Sequence, residues 1–157
     1  MFNTGKKLPL RFSPWRATAA GVLLLTMGLT TMAAREVTVE ELKARLASAS
    51  ARDRPRLCVE IAALQLTAAE KFYANGDDQK GGAALNEVAA FCESARDSSI
   101  QSGKRLKQTE IAVRQMARKL TDLKFSLTRD EQSAVQGTLD RLQRVRDDLL
   151  AAMFPKG

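Results

Sequence analysis

The fold turns on the stretch "SARDSSIQSGKRLK", residues 94–107. Serines, a glycine and a basic run are the composition of a linker, so a helix should stop here. The apolar periodicity points the other way. Gly81, Leu85, Val88, Cys92, Ala95, Ser99, Ser102, Leu106, Thr109, Val113, Met116, Leu120, Leu123 and Leu127 follow one another at separations that alternate between four and three without a slip. That is a heptad seam passing through the serine patch in register, with small polar residues where large apolar ones would normally sit. One interior glycine costs a helix only about 1 kcal/mol relative to alanine. The seam therefore predicts one long central helix over about 78–127, roughly 75 Å in length, weakened between Ser98 and Gly103. A true break at the patch would instead fold the two arms into a compact bundle.

Shorter helices flank this segment. Thr38 followed by Glu41 forms a capping box, with Val37 placed to staple onto Leu42, so a helix is expected over about 38–50. Asp53 is a candidate cap and Pro55 a tolerated first-turn residue for a helix over about 55–75. That helix carries two apolar stripes, Leu57, Ile61, Leu64, Ala68 and Phe72 on one side and Val59, Ala62, Leu66 and Tyr73 on the other, which calls for two neighbours. Gly76 supplies a left-handed terminus and Asp77 caps the long helix. Thr128 and Glu131 repeat the capping pattern ahead of a helix over about 129–153, whose inward residues are Val135, Leu139, Leu142, Val145, Leu149 and Met153. Its short connection makes it antiparallel to the second half of the long helix. The fold class is thus all-α: an elongated antiparallel bundle or coiled coil. The second half of the long helix is left with a single partner, which makes a homodimer a reasonable expectation.

The N-terminus reads as a targeting segment. Lys6, Lys7, Arg11 and Arg16 stand ahead of an uncharged run from Ala17 to Ala34, and Thr31-Met32-Ala33 offers small residues at a cleavage site. This is the pattern of a bacterial-type secretory signal peptide over 1–33, cleaved after Ala33, leaving 34–157 as one all-α domain. Its rival is an uncleaved anchor, since 18 residues at about 1.5 Å each span barely a bilayer core. Either way the positive-inside rule sends the remainder out of the cytoplasm, to the periplasm or beyond. Removing the leader takes four of the 25 basic residues and none of the 18 acids, so the net charge falls from +7 to +3. Whole-chain basicity then argues poorly for a nucleic-acid partner.

Cys58 and Cys92 are the only cysteines. Counted from Gly76, they fall at nearly the same level of an antiparallel hairpin, so a structural disulfide between them and a pair of buried thiols are both open. Lys104, Lys107, Arg114 and Arg118 lie within about 80° of one another on the long helix and form a basic strip suited to an anionic surface, such as lipid headgroups or an acidic polymer. The competing account is an ordinary solvated face. No aromatic residue interleaves with the strip, which removes the stacking platform of single-stranded nucleic-acid binders.

Signals for catalysis are missing. The chain has no histidine, which removes the imidazole base and the commonest metal ligand. Asp77-Asp78 and Asp147-Asp148 are adjacent pairs whose side chains diverge on a helix. Gly103-Lys104 lacks the preceding glycine of a phosphate loop, no CxxC occurs, and Ser99, Ser102 and Lys104 match no Ser–Lys arrangement. No catalytic residue, metal ligand, cofactor or small-molecule substrate is expected.

Residues 69–92 resemble a single tetratricopeptide-repeat hairpin. Ala69, Phe72, Gly76, Asp77 and Leu85 match that family's small, aromatic, Gly-Asp turn and second-helix positions, while Gly81 and Val88 stand where it usually has alanine. The resemblance covers about one sixth of the chain and occurs once, whereas such repeats stack in copies. It implies a protein-binding helical surface; a generic α-hairpin accounts for the same residues. The expectation is an exported, non-catalytic helical protein acting on an unidentified protein partner as an interaction or scaffold module of the bacterial envelope. The alternative is an anionic-surface binder using the basic strip. Membrane attachment through a span is expected only if the leader stays uncleaved.

Overall fold

The computed structural model describes residues 37–155, and the leader lies outside the described residues. Within that span the chain forms five helices: α1 (Val39–Ala47), α2 (Arg54–Ala74), α3 (Asp78–Ser102), α4 (Leu106–Ser126) and α5 (Arg129–Met153). The all-α class holds. The single long helix over 78–127 does not, because it is cut into α3 and α4 by Gly103, Lys104 and Arg105.

The break has a local cause. Gly103 and Arg105 both adopt left-handed backbone, at φ 63° and 61°. Just ahead of them Ser98 and Ser102 turn their hydroxyls back onto the carbonyls of Ser94 (2.8 Å) and Ser98 (2.6 Å), a bond that loosens a helix. The chain reverses, and α4 returns antiparallel beside the end of α3, with the Ser99 and Thr109 hydroxyls 2.8 Å apart in the interior. The seam kept its phase because each arm turns one stripe toward the same core. Leu85, Val88, Cys92, Ala95 and Ser99 are buried from α3, and Thr109, Val113, Met116 and Leu120 from α4. A three-residue link happens to occupy the place of about one helical turn. Replacing Gly103 with alanine is expected to lower stability by about 1 kcal/mol in urea unfolding, from left-handed strain alone, since a Cβ there meets nothing within 4 Å.

α2 to α5 form a four-helix bundle in the spatial order α2, α3, α5, α4. The α2/α3 and α4/α5 hairpins are antiparallel. Across the bundle α3 and α5 run parallel: Glu93 meets Arg141 and, further along both helices, Arg96 meets Asp148. The interior is built from Ala62, Leu66 and Ala69 of α2, the two arm stripes, and Val135, Leu142, Val145 and Leu149 of α5. α4 is thus covered by both α2 and α5, which removes the single-partner argument for a homodimer.

α1 packs outside on α2, where Leu42 closes a smaller cluster with Leu57 and Ile61. So α2 is sandwiched as its two stripes require, although Leu64 stays 37% exposed. Lys43 of α1 and Gln65 of α2 both bond the Glu87 carboxylate of α3, tying three helices together. The ends follow the capping chemistry. Thr38 and Glu41 exchange their two bonds, and the Asp77 carboxylate accepts from the Lys80 amide at 3.2 Å. Gly76, at φ 72°, closes α2: its amide donates to Tyr73 and that of Asp77 to Phe72, the paired bonds of a Schellman terminus. Asp53 is the exception, since its carboxylate accepts from the Ser50 hydroxyl at 2.7 Å and caps no amide.

Candidate functional site

The reversal at Gly103 redistributes the basic strip. Lys104 sits in the link and Lys107 in the first turn of α4, both exposed. Arg114 is half-buried, its Nε 3.6 Å from the buried Glu110 carboxylate, which also receives Arg146 of α5 at 3.2 Å. Arg118 is exposed further along α4. Lys107, Arg114 and Arg118 therefore share one face of α4, while Lys104 belongs to the tip.

That tip gathers charge the linear pattern did not associate. The first turn of α2 abuts the first turn of α4, where Pro55, Arg56 and Val59 line a small hollow with Arg105, Gln108 and Thr109. Arg52 and Arg54 consequently stand at the same end as Lys104, Arg105 and Lys107. Among the described residues, none of these five side chains makes an ion pair or hydrogen bond. Ile100, in the last turn of α3, is 43% exposed, and Phe154, just past α5, is 71% exposed. Both helices end at this tip. The opposite end carries both signs of charge, with Asp77, Asp78, Asp130 and Glu131 beside Lys80, Lys124 and Arg129. There a hydrogen bond to Glu131 raises the Asp78 carboxyl above its ordinary range, and its charges with Glu131 and Asp77 push the same way.

A second surface lies between α1 and α2. A cleft of about 620 Å³ is lined by the apolar Val37, Leu42, Ala63 and Leu64, by Glu60 and Thr67, and by the cations Arg45, Lys71 and Lys119. The three cations come from α1, α2 and α4, so no spacing in the sequence relates them. Only the fold brings them to one opening.

Inside the bundle the chemistry is structural. Arg141 donates from Nε and Nη2 to the two Glu93 carboxylate oxygens at 2.8 Å each, joining α5 to α3. Those bonds hold the Glu93 carboxyl below its ordinary 4.5. A lowered value means that the contribution is present above about pH 4.5 and lost as pH falls through the lower folded value. Glu93→Gln is expected to cost about 1 kcal/mol at neutral pH, since the pair is about one-third exposed and screened, and to flatten the acid limb of a stability–pH curve.

Cys58 and Cys92 are buried free thiols on the facing helices α2 and α3. Burial raises both: Cys92 is pushed up to about 12, and Cys58 lies near enough for its charge to add to that rise. Both sulfurs are shielded from an exchange partner once the bundle is folded, so a bridge between them would have to form before α2 and α3 close. Among the described residues no group of acidic or thiol side chains could hold a metal ion, and no helix is long and apolar enough to cross a membrane. Family models, curated proteins and solved structures were compared with the chain, and none matches it.

Proposed function

We propose that this chain is an exported, non-catalytic helical protein of the bacterial envelope that docks on an anionic phospholipid surface through the link end of its bundle. The observation that carries the reading is the set of five unpaired cations, Arg52, Arg54, Lys104, Arg105 and Lys107, beside exposed Ile100 and Phe154. Cations attract headgroups, each contributing about 1 kcal/mol near an anionic membrane, and the two apolar side chains can enter the acyl boundary. An acidic polymer would have no use for them. Arg105 adds weight, because an arginine occupies a left-handed position that glycine or asparagine would fill with less strain.

Vesicle co-sedimentation tests this. Binding is expected to phosphatidylglycerol vesicles and not to phosphatidylcholine, and to vanish at high salt. Reversing Lys104, Arg105 and Lys107 to glutamate should weaken it at least about a hundredfold. Equal binding to both lipids, or an indifferent triple variant, would sink the proposal. The protein-partner reading keeps second place on one observation, the 82% exposure of Phe125 at the end of α4, which suits an aromatic anchor at an interface.

A further inference from the structure

The cleft between α1 and α2 is independent of the link end and asks for a different ligand. Its 620 Å³ falls within the roughly 300–1,000 Å³ of small-molecule sites. Four of its lining residues, Val37, Leu42, Ala63 and Leu64, are aliphatic, and none is aromatic. A base or a sugar ring would find no face to stack on. A flexible hydrocarbon chain would find an apolar floor.

The rim decides the head. Arg45, Lys71 and Lys119 border the opening, and among the described residues none of the three has a carboxylate partner. The one acid lining the cleft, Glu60, is already held by Arg56. Three unpaired cations around an apolar floor are complementary to one anionic group attached to one chain. We infer that this cleft binds a single-chain anionic amphiphile, its carboxylate or phosphate at the Arg45/Lys71/Lys119 rim and its hydrocarbon along Leu42 and Leu64. The site does not depend on the membrane-docking reading, because it binds monomeric ligand in the absence of any bilayer.

The architecture supports such a role. α1 is a nine-residue helix outside the four-helix core, joined to α2 by the turn at residues 48–53. It meets the bundle through the Leu42, Leu57 and Ile61 cluster and the Lys43–Glu87 pair at 3.0 Å. The wall holding Val37, Leu42 and Arg45 is therefore the part of the fold with fewest ties to the core.

Titration of the purified chain, in the form in which the producing cell leaves it, tests the inference. The probes are saturated fatty acids of increasing length, held below their critical micelle concentrations and free of vesicles. Saturable binding of one molecule per chain is expected, strengthening about fourfold per methylene until the cleft is filled. Arg45→Gln, Lys71→Gln and Lys119→Gln together should weaken the fatty acid at least tenfold while leaving its methyl ester unchanged. Leu64→Asp should abolish binding of both; Leu64 is exposed enough that unchanged circular dichroism should certify folding. The alkyl phosphate measured beside the carboxylate tells which head the rim prefers, and tighter binding of either over the ester supports the inference. Failure to saturate, affinity independent of chain length, or equal loss of acid and ester in the triple variant overturns it. So does binding that appears only when the residues before Val37 are removed, which would make that segment the natural occupant. Loss of vesicle binding in the Lys104/Arg105/Lys107 variant with fatty-acid binding intact separates the two surfaces.

Discussion

Leu142→Ala is expected to destabilise the bundle by about 3–4 kcal/mol, read as a lowered urea midpoint with an unchanged slope. Leu142 lies in the middle of α5, is fully buried, and joins the same cluster as Leu66 of α2, Val88 of α3 and Val113 of α4. Truncation there opens a cavity in the shared interior, which its neighbours can fill only by moving. Single domains have only about 5–15 kcal/mol in hand, so the loss is a large share. Leu150, on the same helix but 37% exposed, serves as the control: Leu150→Ala should cost less than about 1 kcal/mol. Equal effects at the two positions would be inconsistent with a four-helix interior. In the extended rod, Leu142 would have met the second arm alone and the cost would be small.

Gly81→Val is expected to cost about 3 kcal/mol or more. A Cβ built at Gly81 would fall 2.8–2.9 Å from three carbons of the Tyr73 ring, closer than real side chains approach. Tyr73 closes the last turn of α2, is itself buried, and lies directly over the start of α3, so neither partner has room to withdraw. Gly81→Ala separates two opposing terms. Alanine gains about 1 kcal/mol of helix propensity over glycine, and overpacking costs about 1–3 kcal/mol, so the net result should be mildly destabilising. With Tyr73→Leu in place the ring is gone, and the same Gly81→Ala change should become stabilising. A double-mutant cycle showing no coupling between positions 73 and 81 would remove the close approach from the account.

Gly81 also shows what a linear reading can and cannot see. The residue was legible as a seam position, and it is buried, but its reason for being glycine is a tyrosine eight residues earlier on another helix. The same division runs through the candidate sites. Lys107, Arg114 and Arg118 were legible as one face because they share α4. Arg45, Lys71 and Lys119 were not, because three helices must pack before they border one opening. Arg52 and Arg54 carry no signal that connects them to Arg105; the parallel run of α2 and α4 does that.

By itself the sequence determined the helical class, the bounds of α2 and α5 to within a residue, the start of α1 (its end falls at Ala47, short of the expected 50), and which stripe of each helix turns inward. These are local matters: capping residues act within one turn, and apolar spacing reports a helix face regardless of what lies across from it. Tertiary structure decided the path between the stripes. Whether the chain runs straight or reverses at residues 103–105 depends on the left-handed Arg105, which costs about 1–2 kcal/mol where Gly103 adopts the same region freely, against the burial of Val113, Met116 and Leu120 on the first arm and α2. The heptad count is the same in both arrangements. The balance falls toward the bundle because one shared core removes more apolar surface from water than an exposed rod can.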